Sequence, residues 1–224
     1  MPMIKSTGNM YPWCTHTWNP IKGRCIHDCS YCYMKKIHQR YRKYWRDLNF
    51  SQKEMRTNLG EGNFIFVGSS TDMFSRQVPK KWILDVLNHC NEYPNNTYLF
   101  QSKNPERYVE FAIKLPMGCI IGTTIETNRF IQISKAPNTE DRVFWMSNYI
   151  IGDKMVSIEP IMDFDLDVII KWMRDINPKF VSIGADSKNS GLSEPCPEKV
   201  KALILRLGKF TDVRVKKNLG RLIG

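Results

Sequence analysis

Short apolar and β-branched runs recur along the chain, each followed by a polar cluster and then by a stretch with apolar residues three or four apart. The runs at 15–19, 64–68, 97–101, 119–124, 154–158, 180–184 and 213–216 have the length and composition of buried parallel strands. Helical spacing fills the intervals. After residue 32, Met34, Ile37, Tyr41, Tyr44 and Leu48 make one apolar stripe. A second helix opens at Pro79 and stops before Pro94. A third has Asn104 as N-cap and Pro105 at its first position, and it ends before Pro116. Three more are expected at about 139–150, 166–176 and 197–207, with Gly208 closing the last. Seven strands alternating with six helices predict an α/β fold, a mostly parallel sheet with right-handed crossovers. An open doubly wound sheet fits this order. A partial (β/α) TIM-type barrel fits better, because polar residues gather after most strand ends, where such barrels carry their chemistry. No linker, repeat or low-complexity segment interrupts residues 1–224, so one domain is expected.

Composition narrows the setting. Hydrophobic residues make up 42% of the 224, enough for a sizeable core. No apolar run is long enough to cross a bilayer, and residues 1–11 lack the apolar middle of a signal peptide, so a cytoplasmic protein without a membrane partner is expected. Cys14, Cys90, Cys119 and Cys196 are scattered and the total of seven is odd, which is no disulfide framework and fits a reducing compartment. Lys and Arg outnumber Asp and Glu by 33 to 22, a formal net charge of +11. The excess is concentrated in Lys35, Lys36, Arg40, Arg42, Lys43 and Arg46, and again in Lys209, Arg214, Lys216, Lys217 and Arg221. Such clustering points to a polyanionic partner, DNA or RNA.

The remaining cysteines carry the chemistry. Cys25, Cys29 and Cys32 are spaced C-x3-C-x2-C, with Tyr31 directly before the third. Three thiolates this close can hold three irons of a [4Fe-4S] cube and leave the fourth open to a small molecule. A zinc site can also be drawn by adding Cys14, His16 or His27, although structural zinc sites usually pair two separated short elements. The motif resembles that of the radical SAM superfamily. The resemblance implies that the open iron binds S-adenosylmethionine (SAM), that its reductive cleavage supplies a 5′-deoxyadenosyl radical, and that an external electron donor of flavodoxin or ferredoxin type serves the cluster. The runs Trp18-Asn19-Pro20, Val67-Gly68-Ser69, Gln101-Ser102-Lys103-Asn104-Pro105 and Ser157-Ile158-Glu159-Pro160 make the chain similar to one compact radical SAM subgroup of phage and prophage genomes, mostly of unknown function.

The same resemblance assigns strand-end residues to the cofactor. Gly68-Ser69-Ser70-Thr71-Asp72 stands where the superfamily usually has a Gly-Gly-Glu-like element, and it is closer to the Ser/Thr-Asp form of spore photoproduct lyase-like enzymes. Ser69, Ser70 and Thr71 would offer oxygens to the cofactor's ammonium, with Asp72 as counter-charge. Lys103 would meet its carboxylate as a point charge. Thr124 and Glu126, on one face of their strand, would bond the ribose, the backbone of Tyr31 would contact the adenine, and Tyr33 would also meet the cofactor. Glu159, a carboxylate at a strand end, is expected in the pocket.

The expected function is therefore a radical SAM enzyme acting on a nucleobase or modified nucleotide in nucleic acid. Lys36, Arg40 and Lys43 on one helical face, with Lys216, Lys217 and Arg221 of the tail, are the expected phosphate contacts. The alternatives are a small-molecule or peptide substrate for the same chemistry, and a zinc-stabilised nucleic-acid-binding module without catalysis.

Overall fold

The computed structural model describes residues 3–6, 11–41 and 47–224, with residues 40 and 41 described in their backbone only. Ten strands are present among them: β1 (Ile4–Lys5), β2 (His16–Trp18), β3 (Ile21–Lys22), β4 (Asn49–Phe50), β5 (Phe64–Val67), β6 (Thr97–Gln101), β7 (Ile120–Thr124), β8 (Lys154–Ile158), β9 (Phe180–Ile183) and β10 (Asp212–Val215). The α-helices are α1 (Tyr33–Tyr41), α2 (Lys80–Asn91), α3 (Thr139–Asn148), α4 (Leu166–Ile176), α5 (Pro197–Leu207) and α6 (Gly220–Ile223). The main sheet runs β1-β2-β5-β6-β7-β8-β9-β10, parallel throughout except for the antiparallel β1–β2 pair. Strands β3 and β4 form a separate antiparallel pair.

Strand alternation sorts the side chains into two layers. Ile65, Val67, Tyr98, Phe100, Ile121, Val156, Ile158, Val181 and Ile183 face outward into the core shared with the helices. Phe66, Leu99, Ile120, Met155 and Phe180 face the other way and pack with Tyr11, Trp13 and Cys14. The second layer lies inside a curved sheet. Strands β2 and β9 are five places apart, about 24 Å in a flat sheet at about 4.8 Å per strand. Yet Trp13, just before β2, meets Phe180 of β9 edge-on at 5.5 Å between ring centroids. The sheet therefore curls into a partial TIM-type barrel, and residues 11–15 fill its floor.

The seven main strands follow the sequence expectation to within a residue or two. Three departures matter. The expected third helix is a 3-10 segment, Pro105–Lys114, and Asn104 makes no side-chain cap. Its winding is dictated by burial: Arg107 donates to the carbonyls of Ser75 and Val78, and Tyr108 OH bonds the carbonyl of Gly122 at 2.9 Å. Among the described side chains of α1 the buried one is His38, while Ile37 of the expected apolar stripe is 39% exposed. The stretch 50–63 carries β4's end and a short 3-10 turn, Glu54–Arg56, whose Glu54 carbonyl accepts from Trp18 Nε1 at 3.2 Å. Among the described residues no helix is long and apolar enough to cross a membrane.

Candidate active site

Going up the barrel interior, the inward-facing positions change from apolar to polar. Above Leu99, Met155 and Phe180 stand Gln101, Ser157 and Ser182, and above those Lys103, Glu159 and Gly184. A cavity of about 440 Å³ opens at this upper end, within the usual size range of small-molecule sites. Two inward glycines make room for side chains of the neighbouring strand. A Cβ at Gly122 would lie 2.7 Å from Met155 Sδ, and one at Gly184 would lie 2.7 Å from Glu159 Cδ.

The cysteine loop follows β2 and β3 and forms one wall. It turns at Gly23 (φ +118°), where a Cβ would come within 2.5 Å of the Asp47 carbonyl oxygen. Asp28 takes a left-handed conformation (φ 48°), and its carboxylate is held by Lys35 at 2.7 Å and Lys135 at 3.3 Å. The segment after β7 clasps the loop: Ser30 N–H donates to Ile133, and Lys135 N–H to the His27 carbonyl. Cys25, Cys29 and Cys32 are all free thiols, and all line the cavity. Burial, with the Asp72 carboxylate nearby, pushes the Cys25 thiol up to about 12, and burial also raises Cys29. Burial disfavours a bare thiolate at both positions.

The donor set suits a cluster better than one ion. Among the described residues no three Cys, His, Asp or Glu side chains converge as a single-ion site requires. The residues drawn for zinc are dispersed: Cys14 sits in the barrel floor, His16 bonds Thr15 at 3.0 Å, and His27 is engaged with Asp72. Three thiols lining one cavity are the donor set that would hold a [4Fe-4S] cluster with one iron left open.

Next to the loop, Ser69, Ser70, Thr71 and Asp72 line the cavity after β5. Asn19 Oδ1 accepts from Ser70 N–H at 2.8 Å and Ser69 Oγ at 3.2 Å, and Tyr33 OH donates to the Ser69 carbonyl at 2.9 Å. Thr71 Oγ1 donates to Gly23. Ser70 Oγ is buried with no hydrogen-bond partner among the described residues, an orphaned polar atom at the cavity wall. Asp72 is a hub. Its Oδ2 accepts from His27 Nε2 at 2.8 Å, Ser102 Oγ at 2.9 Å and Lys103 N–H at 2.8 Å, and its Oδ1 from Phe74 N–H at 3.0 Å. Burial raises its pKa, but the bonds from His27, Lys103 and Ser102 win and hold it below the usual value. Its oxygens thus tie the cysteine loop to the ends of β5 and β6.

Lys103 and Thr124 line the cavity; Glu126 is behind it. Arg142 of α3 pairs with Glu126 Oε2 at 2.9 Å and also donates to the carbonyls of Thr124 and Pro137. Tyr31 OH donates to Glu126 Oε1, and Lys103 Nζ stands 3.5 Å away, over the Tyr31 ring at 5.2 Å. Burial works against the Glu126 charge, but Arg142, Lys103 and Tyr31 together lower its pKa. Thr124 Oγ1 accepts from Gln101 Nε2 at 2.9 Å, and Gln101 Oε1 accepts from Tyr11 OH at 2.7 Å.

Across the cavity, Glu159 accepts from Lys216 Nζ at 2.8 Å, and both side chains line it. This corrects the expected basic tail. Lys216 is inside the barrel, because Arg214 and Lys216 continue the inward-facing positions of β10. Arg221 is paired with Glu194 and donates to the Asp186 carbonyl at 2.9 Å. Lys36 is exposed and donates to the carbonyl of Lys188, on the cavity rim, and Lys217 is exposed. The Arg40 side chain and Lys43 lie outside the described residues. Sequence reasoning missed Tyr11 and Arg142, gave Gln101 no role of its own, and named His27 only as a zinc ligand. Only the inward parity of Gln101 and Lys216 left a readable signal.

A family model described as "Protein of unknown function (DUF5131)" matches residues 9–176. No curated protein matches the chain. Among solved structures it is similar to spore photoproduct lyase. A cysteine-to-alanine variant of that protein with dinucleoside spore photoproduct gives a TM-score of 0.66 at 9% identity, covering 96% of this chain and 80% of that one. A cysteine-to-serine variant gives 0.63 at 9% identity with the same coverage. A double variant with bound AdoMet and the dinucleoside gives 0.57 at 10% identity, covering 93% and 66%. At these identities the likeness establishes a shared fold.

Proposed function

We propose that this chain, which belongs to the DUF5131 family, is a radical SAM enzyme that acts on a nucleobase or modified nucleotide in nucleic acid. One observation carries the reading: the three thiols of the C-x3-C-x2-C motif all open onto one cavity at the polar end of a partial barrel. Cys25, Cys29 and Cys32 would hold a [4Fe-4S] cluster and leave one iron open to SAM. Bound there and reduced by an external donor of flavodoxin or ferredoxin type, the pair supplies a 5′-deoxyadenosyl radical.

The chain's own residues bind, orient and shield. Ser70 Oγ is the free hydroxyl for the cofactor's ammonium, with carbonyls of Ser69 and Thr71 beside it. Lys103 meets the carboxylate, Thr124 the ribose and the Tyr31 backbone the adenine, and Tyr33 also meets the cofactor. Asp72 and Glu126 act at one remove, because their oxygens are already spent on His27, Lys103, Tyr31 and Arg142. Their task is to fix the cysteine loop and Lys103 against the strand ends. The nucleic-acid reading draws on the net charge of +11 and on the dinucleoside bound by the similar structures.

Anaerobic reconstitution tests the reading. About four irons per chain are expected, with broad thiolate-to-iron absorption, and Ala at Cys25, Cys29 or Cys32 should abolish both while Cys14→Ala should not. With dithionite, the wild type should convert SAM to 5′-deoxyadenosine and methionine. Stoichiometric zinc without iron would sink the proposal.

A further inference from the structure

The wall formed by β8, β9 and β10 carries a charged pair to which the proposed function gives no role. Glu159 ends β8 and Lys216 follows β10, with 2.8 Å between Oε2 and Nζ. The Lys216 side chain is only 6% exposed and that of Glu159 17%. Gly184, on the strand between them, leaves the slot that the carboxylate occupies. Burying both charges is costly unless the remaining protons and lone pairs find partners. Here they do not. Among the described residues Glu159 is the one hydrogen-bond partner of Lys216 Nζ, which leaves two N–H groups. Glu159 Oε1 has only a 3.4 Å contact from Asn218 Nδ2. Uncharged polar side chains, Gln101, Ser157 and Ser182, stand one level lower and apolar Met155 and Phe180 two levels lower, so the charged pair belongs to this level alone. The unused capacity borders the cavity.

We infer that Glu159 and Lys216 read the substrate, taking the edge of a nucleobase on which a ring N–H adjoins a carbonyl, as in thymine, uracil or guanine. The inference rests on the nucleobase reading of the site. The carboxylate accepts from the ring N–H, and the ammonium donates to the neighbouring carbonyl oxygen. An acceptor and a donor 2.8 Å apart match two adjacent groups on one base edge. Adenine and cytosine carry the donor on an exocyclic amino group and the acceptor in the ring, the reverse placement, so their ring would have to sit over Lys216 instead of Glu159. Tyr11 holds the ammonium in place with its ring face at 5.0 Å, and Tyr11 is itself fixed by Gln101. A phosphate is disfavoured at this point because a carboxylate stands beside the cation.

Titration calorimetry with thymidylyl-thymidine, its N3-methylated analogue and adenylyl-adenosine tests this on the wild-type protein, so no variant has to fold. Removing the ring N–H or replacing the base by adenine should weaken binding by about tenfold or more, the loss typical of a hydrogen bond to a charged group. Glu159→Gln should narrow the gap between methylated and unmethylated probes, and Lys216→Met should weaken thymidylyl-thymidine. Equal affinity for the methylated and unmethylated probes overturns the inference, and so does failure of every dinucleotide to bind. Formation of 5′-deoxyadenosine is measured on the same reconstituted preparation. If SAM is cleaved and the probe series is flat, the pair's role fails while the enzyme reading stands; if the series discriminates and SAM is not cleaved, the reverse holds.

Discussion

Glu126 and Glu159 follow consecutive strands of the barrel, β7 and β8, and each meets a buried cation. Their surroundings differ. Glu126 is 1% exposed, and its oxygens are occupied by Arg142, Tyr31 and Lys103. Glu159 reaches the cavity with one strong bond and one long contact. The neighbouring element decides: α3 delivers Arg142 behind Glu126, whereas the cation beside Glu159 is an inward lysine of the strand sheet itself. A buried carboxylate with every partner in place braces the fold. One with spare capacity at a cavity wall is available to a ligand.

The largest expected effect tests that contrast directly. Glu126→Gln strands Arg142, whose side chain is 3% exposed, and should cost about 3–5 kcal/mol, the range for breaking a buried ion pair. Glu159→Gln leaves an ammonium that the cavity can hydrate, and should cost about 1–2 kcal/mol, nearer a single hydrogen bond. Urea unfolding of the two variants measures both, and equal costs would remove the distinction between brace and reader.

The two interior glycines sharpen it at smaller scale. Gly122→Ala presses on Met155 Sδ, the movable end of a flexible side chain, and should cost about 1 kcal/mol, the low end for overpacking. It should leave dinucleotide affinity unchanged. Gly184→Ala presses on the Glu159 carboxylate, which Lys216 pins, so its main effect should be lost probe binding. If both substitutions alter only stability, the upper wall is not a binding surface.

Periodicity was a good guide to the scaffold. Short apolar or β-branched runs marked most main strands, His16–Trp18 being the weakest, and Pro178 and Gly208 marked helix ends. Strands of two residues, β1, β3 and β4, carry too little pattern to be seen. The site was legible as far as one segment could reveal it: the cysteine triplet, and polar residues at strand ends. It was not legible where partners are remote. His27 and Asp72 are 45 positions apart, and nothing in either segment announces the other. Lys216 was misplaced for a different reason. Its basic neighbours suggested an exposed tail, but alternation along Asp212, Arg214 and Lys216 puts it indoors, where strand parity outweighs local charge.

The smallest effect belongs to the exposed counterpart of the Glu126–Arg142 pair. On the same segment after β7, Arg129 bonds Asp165 at 2.8 Å and also meets Asp163, all at the surface. The Arg129 guanidinium, aided by Asn128, holds the Asp165 carboxyl down at about 2. Because that folded value lies below the unfolded one, near 3.9, the stabilisation is complete above about pH 4. It is lost as pH falls toward 2. Arg129→Ala should therefore shift the thermal midpoint slightly at neutral pH and progressively less as pH falls through about 2. Water and salt screen an exposed pair, and at 1 M ionic strength the Debye length shrinks to about 3 Å. The neutral-pH shift should then vanish in 1 M NaCl, while that of Glu126→Gln persists. A shift from Arg129→Ala that survives both acid and salt would mean that Arg129 acts through packing, and that exposure is the wrong measure of what separates these two pairs.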